Sequence, residues 1–323
     1  MKISYYTHEH GLNVSTGYGY AGLNIVKSLQ GLGHKVPFDD QTAEVQICFT
    51  QPNDYKFGGT GLRVGYTPWE STELKPGWLK DMNKCDEIWT PSDLVADWFD
   101  DAGVSVPIHV YEHGVSNEWT TRHRLRGEKI RFLHHGAEAN RKCGQLAYDA
   151  FIKVFGRNNP NVSLTFKTNG PSGVRDTVNG MIYRPDKFTD NVYFIDHELS
   201  QTGVISLYLM HHVLVYPSAG EGFGFAPLQA MATGMPVILN PEWAPYRDLT
   251  IPELNISSRL VDSNWYEHPG KVFEPSFNDL CRAYQEAYDN YEEFSIDAVT
   301  LADEVKEKHS WESVTKKILS HLE

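Results

Sequence analysis

The chain has 323 residues, of which 41% are hydrophobic and 22% charged, and its formal net charge is −13. This length accommodates two domains of ordinary size, and the composition is typical of soluble globular proteins. The acidic balance disfavours binding to nucleic acid or to an anionic membrane surface.

Cysteine usage and hydropathy predict the compartment. The four cysteines are widely spaced, with no C-x-x-C pair, which favours reduced thiols over a disulfide framework or a zinc site. No apolar run approaches the roughly twenty residues of a membrane span. The N-terminal residues enter a predicted strand without the pattern of a secretory signal. We therefore expect a cytoplasmic protein without a transmembrane segment.

The first half alternates predicted strands and helices. Residues Ile3–Tyr6 form the first strand, and a loop leads from it to an apolar-periodic helix over residues 20–32. This loop contains Gly17 and Gly19. In doubly wound folds the first such loop lies at the ligand crevice, beyond the carboxyl ends of the strands.

A carboxylate and a histidine follow later strands of this half. Further strands are predicted at Val45–Phe49, Leu62–Tyr66, Glu87–Thr90 and 108–111, and helices at 78–83 and 93–102. Glu70 follows a strand end, where it would bind or deprotonate an acceptor hydroxyl, or simply supply charge to a helix N-terminus. His113 lies at the crossover between the halves and either touches substrate or, as we favour, braces the hinge.

Residues 116–129 are predicted to link the two halves. They carry Arg122, Arg124 and Arg126 without interleaved aromatic residues, which indicates a solvated segment rather than a nucleic-acid patch.

The second half begins with a strand at 130–134 and a helix that ends near residue 155. Arg141 and Lys142 lie in the connecting loop, where a planar guanidinium and a compact ammonium suit a diphosphate. Strands are also predicted at Val162–Lys167 and Val192–Ile195, with a turn at 169–173 between them and a helix that ends near residue 209.

Neither of two histidine pairs predicts a metal site. His8 and His10 have no third ligand nearby, and the adjacent His211 and His212 point apart in a helix or a strand.

Residues 215–239 combine a strand, a glycine loop, a helix and a second strand. Gly222 and Gly224 allow the backbone to approach a ligand closely, and the helix that follows presents free amides and a positive dipole end to phosphate. Glu221 either accepts hydrogen bonds from a polyol such as a sugar or caps the helix. The spacing alone leaves both interpretations open.

The sequence of this region resembles a known motif. Residues 221–237 read EGFGFAPLQAMATGMPV, which is similar to the nucleotide-sugar motif of glycosyltransferase family 4, E-G-F-G-hydrophobic-P-x-x-E-A-M-A-x-G-x-P-V. The resemblance implies that Glu221 holds the donor sugar. It implies that Gln229, which replaces the second glutamate of the motif, holds the ribose without a charge.

Other segments resemble the same family more loosely. Gly17 and Gly19 match its N-terminal glycine loop, which faces the donor diphosphate. Arg141 and Lys142 match its basic pair, although Ala137 stands where an arginine is more frequent. The resemblance also implies that the nucleobase lies near Ile195.

The alternation of elements predicts an α/β fold with two doubly wound domains facing across a cleft. The resemblance implies the GT-B architecture, in which two Rossmann-like domains form the cleft. We predict an acceptor domain at 1–123, a donor domain at 124–300, and a C-terminal helix at 301–323 that crosses back onto the first domain. This last helix carries Trp311, Val314 and Ile318 on one face.

The predicted function is therefore retaining transfer of a hexosyl or pentosyl group from a UDP- or GDP-type donor, with no metal or other cofactor. The acceptor hydroxyl belongs to a glycan, lipid, protein or modified base. Arg141, Lys142 and the loop of Gly222, Phe223, Gly224 and Phe225 would stabilise the leaving diphosphate. In the mechanism that the resemblance implies, the departing phosphate takes the acceptor proton, so Glu70 is optional.

Three alternatives remain open. One is a phosphorylase with the same fold, and another is a catalytically degenerate nucleotide-sugar-binding protein, motivated by Gln229. The third is a transferase that modifies DNA bases, against which the acidic first half argues.

Overall fold

The computed structural model describes residues 1–7, 12, 16–136, 140–168 and 191–323. These residues form two parallel five-stranded sheets with helices packed on them. The α/β class and the two-sheet architecture are confirmed. His8, His10, Ala137 and the turn predicted at 169–173 lie outside the described residues.

The first sheet has the strand order β1-β2-β3-β4-β5. Its strands are β1 (Ile3–Tyr6), β2 (Val45–Phe49), β3 (Leu62–Tyr66), β4 (Glu87–Thr90) and β5 (Ile108–Val110). Its helices are α1 (Gly17–Gly31), α2 (Trp78–Met82) and α3 (Asp93–Asp101). The strand positions agree closely with the prediction.

Helix α1 begins earlier than predicted. The Thr16 hydroxyl accepts a hydrogen bond from the Gly19 amide at 3.0 Å, so Thr16 is the N-cap. Gly17 and Gly19 therefore lie in the first turn of α1 rather than in a free loop.

The chain also returns on the outer side of β1. After α1 the Tyr5 amide donates to the Pro37 carbonyl at 3.1 Å, and the Asp39 amide donates to the Tyr5 carbonyl at 3.1 Å. The segment around Phe38 therefore pairs with β1 on one side, and β2 pairs with β1 on the other side. The order in which strands are added to the sheet thus reverses direction at β1.

The second sheet has the order β10-β9-β6-β7-β8. Its strands are β6 (Ile130–His135), β7 (Val162–Lys167), β8 (Val192–Ile195), β9 (Val213–Tyr216) and β10 (Val237–Leu239). Its helices are α4 (Gly144–Phe155), α5 (Gln201–Met210), α6 (Phe225–Ala232) and α7 (Phe277–Asp289). The winding reverses between β6 and β9, and ligands of doubly wound sheets bind at such switch points.

The C-terminal region differs from the prediction of a single helix over 301–323. It forms α8 (Tyr291–Lys308) and α9 (Trp311–Leu322), separated at His309 and Ser310, where the Ser310 hydroxyl caps α9 through the Ser313 amide at 3.1 Å. The stretch before α7 contains an antiparallel hairpin of β11 (Ser258–Asp262) and β12 (Lys271–Pro275).

Helix α9 returns to the first sheet, as expected. It packs against α1, and the hydroxyls of Thr315 and Ser28 lie 2.6 Å apart. Trp311, Val314 and Ile318 are all buried in the cluster that covers this sheet.

The predicted linker is solvated only in part, since Arg122 is exposed but Arg124 is buried. Arg124 is only 6% exposed and donates to the carbonyl and the hydroxyl of Thr233, both at 2.8 Å. Thr233 caps the C-terminus of α6, where carbonyl groups lack partners within the helix and a cation is stabilised. Burial lowers the pKa of Arg124 to about 10, so it remains charged at neutral pH.

A buried cluster joins the two halves. It includes Trp69 and Trp78 from the first half and Phe223 and Trp243 from the second. None of the described helices is long and apolar enough to cross a membrane.

Candidate active site

A cavity of about 1050 Å³ lies between the two sheets. Its volume is at the upper end of the range for ligand pockets, about 300–1,000 Å³. The lining includes most of the predicted site residues, namely Gly17, Glu70, His113, Arg141, Lys142, Glu221, Gly222, Phe223, Gly224, Phe225 and Gln229. The tertiary structure thus brings together the first turn of α1, the segment of Arg141 and Lys142, and the glycine loop before α6.

An ion-pair cluster occupies the switch point of the second sheet. Lys142 Nζ donates to Glu221 Oε1 at 2.5 Å, and Arg141 Nη1 lies 3.0 Å from Glu221 Oε2. The Arg141 guanidinium also donates to the Gly220 carbonyl at 2.6 Å. Its Nε is buried and has no hydrogen-bond partner among the described residues. This nitrogen is therefore a donor that a ligand in the cavity could use.

The ionisation states follow from burial and from these contacts. Burial raises the pKa of Glu221, but the charges of Lys142 and Arg141 outweigh it and lower that pKa to about 2. Burial lowers the pKa of Lys142 to about 8, although Glu221 partly restores it. Burial also disfavours the charged form of Arg141, but Glu221 and Glu70 more than compensate and raise its pKa. Glu221 is therefore ionised, and only Lys142 titrates near neutral pH.

Two further groups hold the Glu221 carboxylate in place. The Tyr216 hydroxyl donates to Oε1 at 3.0 Å and the Ser218 hydroxyl at 2.6 Å. Lys142 Nζ also donates to the Tyr216 hydroxyl at 2.7 Å. Glu221 thus accepts side-chain hydrogen bonds inside the cavity and is not a helix cap.

Glu70 reaches this cluster from the first half. Its Oε1 lies 3.4 Å from Arg141 Nη2, and its Oε2 lies 3.7 Å from His268 Nδ1. Helix α2 begins only at Trp78, so Glu70 does not supply charge to a helix N-terminus.

Close packing explains the glycines that precede α6. A Cβ at Gly222 would overlap the Cβ of Pro68, and one at Gly220 would overlap the Glu70 carbonyl oxygen. These glycines therefore let the loop of the second half lie directly against the first half.

Free amides lie at the start of α6. The backbone amides of residues 222–226 donate no hydrogen bond to any residue that the structure describes. Gly17 lies beside the Phe225 ring, since a Cβ there would be 3.9 Å from a ring carbon. The N-terminal end of α6 therefore offers donors and a positive dipole end to an anion in the cavity.

A Gly224→Ala substitution is expected to lower the free energy of unfolding by about 2–5 kcal/mol. Gly224 has φ +85°, and a Cβ there would lie 2.6 Å from atoms of Trp243 and Tyr246. A left-handed conformation costs a side-chain-bearing residue about 1–2 kcal/mol, and overpacking about 1–3 kcal/mol. Urea unfolding monitored by tryptophan fluorescence measures the change. The matched control is Gly31→Ala, where a Cβ meets nothing within 4 Å. Equal stabilities of the two variants would contradict the prediction.

His113 combines a cavity position with a packing role. It is 2% exposed, and its ring stacks on Phe225 with centroids 5.2 Å apart and an interplanar angle of 7°. Its Nδ1 lies 3.1 Å from the Tyr66 hydroxyl. Burial lowers the pKa of His113 to about 3, so the ring is neutral. It contacts Tyr66 of the first half and Phe225 of the second, and the bracing role stays a prediction.

Three of the predicted donor residues have other surroundings. Gly19 is not part of the cavity lining, because its amide serves the Thr16 cap. Ile195 does not line it either, and its carbonyl accepts a hydrogen bond from the Thr168 amide at 3.0 Å. The lining here is formed by the next residues, 196–199. Phe223 lines the cavity but is 3% exposed, so it belongs mainly to the core.

The sequence interpretation missed cavity residues at strand ends. His135, Lys167 and Tyr216 are the last residues of β6, β7 and β9, and all three line the cavity. His135 Nδ1 lies 2.6 Å from the Tyr208 hydroxyl, and Lys167 donates to the Thr168 carbonyl. The rule that ligands bind at the carboxyl ends of parallel strands could have identified them.

Comparison with solved structures identifies the class of fold. Sucrose-phosphate synthase from Thermosynechococcus elongatus superimposes with a TM-score of 0.74 at 13% identity, covering 100% of this chain and 98% of that one. The HepE protein of Anabaena, solved with UDP-glucose, gives a TM-score of 0.72 at 12% identity, covering 100% and 99%. The architecture is that of the GT-B glycosyltransferases.

Sequence comparison then places the second half. Residues 129–248, which carry Arg141, Lys142, Glu221 and Gln229, match the family model described as Glycosyl transferases group 1. A segment of 51 residues is 47% identical to the O-antigen chain mannosyltransferase RfbU of Salmonella typhimurium, spanning 16% of this chain and 14% of that protein. These findings show a GT-B fold, in which residues 129–248 resemble the group 1 glycosyl transferases.

Proposed function

We propose that the protein is a family 4 glycosyltransferase, which moves a hexosyl or pentosyl group from a UDP- or GDP-type donor to an acceptor hydroxyl. We further propose that transfer retains the anomeric configuration and needs no metal ion. The observation that carries the proposal is the cluster of Arg141, Lys142 and Glu221 at the switch point. The solved complexes of HepE with UDP-glucose, and the mannosyltransferase similarity, support a nucleotide-sugar donor.

The cluster fits a donor diphosphate and its sugar. In the free protein Glu221 neutralises one of two adjacent buried cations, which would otherwise repel each other. When a diphosphate enters, Arg141 and Lys142 turn their donors towards it. Glu221 then becomes free to accept hydrogen bonds from sugar hydroxyls. Gln229 lies one helical turn beyond Phe225 on α6, within the cavity lining, and binds the ribose as a neutral partner.

The transfer step follows from this arrangement. The bond between the anomeric carbon and the β-phosphate oxygen breaks, and the acceptor oxygen bonds to that carbon from the same face. The acceptor proton passes to the departing phosphate oxygen. Arg141, Lys142 and the free amides before Pro227 stabilise the negative charge that develops on the diphosphate. Contact between the two halves excludes water, which would otherwise act as the acceptor.

A donor panel tests the proposal. Each UDP- and GDP-sugar is added to the full chain, and thermal unfolding is recorded, because a ligand of the folded state raises Tm by mass action. The matching donor is then incubated with candidate acceptors, and the anomeric configuration of the product is read by NMR. We expect a retained configuration and a rate that does not depend on added Mg²⁺ or Mn²⁺.

Other outcomes distinguish the alternatives. An inverted product would contradict the retaining mechanism. Sugar phosphate formed only with inorganic phosphate would indicate a phosphorylase. Donor binding without turnover on any acceptor would indicate a binding protein. Salt-sensitive gel shifts of modified DNA together with transfer would identify a base as the acceptor.

Donor affinity is expected to fall as the pH rises above about 8. The Lys142 ammonium, with its pKa lowered to about 8 by burial, is charged below that pH and neutral above it. Glu221 stays ionised throughout, so the cluster loses one positive charge. We expect an alkaline limb, that is, a decrease above about pH 8, in the pH profile of kcat/KM, which reports the free enzyme. In the profile of kcat this limb should move to higher pH, because bound diphosphate stabilises the ammonium. A Lys142→Arg variant should lack this limb. An unchanged limb in that variant would assign it to another group.

A further inference from the structure

A second cluster of potential ligands lies outside the cavity. It consists of Glu87, the first residue of β4, His109 in β5, and His321 in the last turn of α9. One ligand atom from each residue lies within 4.8 Å of the others. None of the three residues lines the cavity already described.

The fold fixes the positions of all three side chains. Trp89 pairs with His109 in the parallel ladder of β4 and β5, and Glu87 precedes Trp89 by two residues, so all three share one face of the sheet. Helix α9 packs on this face and brings the His321 ring to 4.2 Å from the His109 ring, measured between centroids. The cluster therefore results from sheet register and helix docking rather than from flexible surface side chains.

The geometry is close to that of a three-ligand metal site. Glu87 Oε2 lies 3.0 Å from His321 Nε2 and 3.8 Å from His109 Nε2. Ligands bound to a tetrahedral zinc ion at about 2.0–2.2 Å are separated by roughly 3.3 Å. Small side-chain rotations would therefore suffice to close the site around an ion.

The surroundings also suit an ion. The side chains of Glu87, His109 and His321 are 16%, 32% and 28% exposed, which leaves a path for entry and room for a water ligand. The Trp89 indole N–H donates at 2.9 Å to Glu87 Oε2, the oxygen that faces both imidazoles, and so orients the carboxylate. Such outer-shell hydrogen bonds orient metal ligands in known sites.

We propose that Glu87, His109 and His321 bind a divalent transition-metal ion of the zinc type, with water as the fourth ligand. Two imidazoles and one carboxylate favour Zn²⁺, Cu²⁺ or Ni²⁺ over Mg²⁺ and Ca²⁺, which prefer sites made only of oxygen ligands. The ion joins residues 234 positions apart in sequence. It fastens the end of α9 to the first sheet and takes no part in sugar transfer.

Zinc titration of the metal-free full chain tests this site. Calorimetry is expected to find one high-affinity Zn²⁺ per chain, and Co²⁺ should give the visible absorption of a tetrahedral complex. Loss of an outer-shell partner weakens metal binding roughly 10- to 100-fold. His109→Ala and His321→Ala each remove a ligand itself, so they should weaken zinc binding by more than that. The matched control is His123→Ala, which removes an exposed histidine outside the cluster and should bind as the wild type does.

Thermal unfolding provides a second readout. Zn²⁺ should raise the Tm of the wild type and of His123→Ala, but not that of His321→Ala. If the alanine variants fail to fold in EDTA, Glu87→Gln replaces them, because it keeps the side-chain volume and removes the anionic ligand. Equal zinc affinity in the wild type and the ligand variants would overturn the proposal. So would the absence of binding at micromolar zinc.

Discussion

A Glu221→Gln variant is expected to lose about 10- to 100-fold in kcat/KM for the nucleotide-sugar while it still binds the free nucleoside diphosphate. The amide keeps the volume of the side chain but not its charge. Hydrogen bonds to a charged acceptor contribute about 1.5–3 kcal/mol, and each 1.36 kcal/mol corresponds to tenfold in rate. In the proposed complex the diphosphate is bound by Arg141 and Lys142, which the substitution leaves in place.

The same substitution should destabilise the free protein. Glu221 has a side-chain exposure of 7% and compensates two cations whose exposures are 13% and 12%. Removing one partner of a buried ion pair costs about 3–5 kcal/mol. Added diphosphate replaces the lost anion, so UDP or GDP should raise the Tm of the variant more than that of the wild type. Thermal unfolding with and without the nucleotide measures both effects.

Glu70→Gln is the matched control, because Glu70 also faces Arg141 but at 3.4 Å and with 20% exposure. If the departing phosphate takes the acceptor proton, this control should lose less than about tenfold, below the 10²–10⁴ of a general base. A larger loss in Glu70→Gln than in Glu221→Gln would instead identify Glu70 as the base.

A Lys142→Met variant is expected to have the largest catalytic defect, about 100- to 1,000-fold in kcat/KM. Methionine replaces most of the aliphatic stem but removes the ammonium that faces the leaving diphosphate. Loss of one preorganised electrostatic donor costs about 2.7–4 kcal/mol of transition-state stabilisation. In contrast to Glu221→Gln, this variant should also bind free UDP or GDP more weakly, which calorimetry measures. Lys153→Met, an exposed lysine on α4, is the control and should retain full activity.

The two variants also test the coupling between their residues. Lys142 Nζ and Glu221 Oε1 are 2.5 Å apart, so the substitutions should not be additive. In the double variant Lys142→Met/Glu221→Gln, the stability loss should be smaller than the sum of the single losses, because the Lys142 ammonium is no longer buried without the Glu221 carboxylate. Arg141 loses Glu221 in the single and in the double variant alike. Strict additivity would contradict the assigned ion pair.

The elements themselves were largely predictable from sequence. Strand limits such as Ile3–Tyr6, Leu62–Tyr66 and Val162–Lys167 agree with the structure, because a short buried strand in a parallel sheet is a continuous apolar run. A glycine that follows a helix predicts a positive φ, and Gly234 after α6 has one. The prediction of one helix over 301–323 was wrong, because the periodic pattern did not reveal the cap at Ser310.

Partners from distant parts of the chain were not predictable. The sequence pattern predicted Arg124 to be solvated in the linker, but it donates to the Thr233 carbonyl at the C-terminus of α6. The sequence left Glu70 either at an acceptor hydroxyl or at a helix N-terminus, and the structure shows it beside Arg141 and away from the start of α2. The ligand cluster at His109 and His321 had no sequence signal at all, since its members come from two strands and the last helix.

The sequence by itself determined the strands, the positive-φ glycines and the identity of the chemical groups, because these depend on interactions within a few residues. Only the tertiary structure decided which groups meet. Glu221 contacts Lys142, 79 residues away in sequence, because the strand order reverses and places β9 beside β6. Strand order depends on how distant segments pack, and no local pattern encodes it. In this chain that packing creates the charged cluster of the cavity.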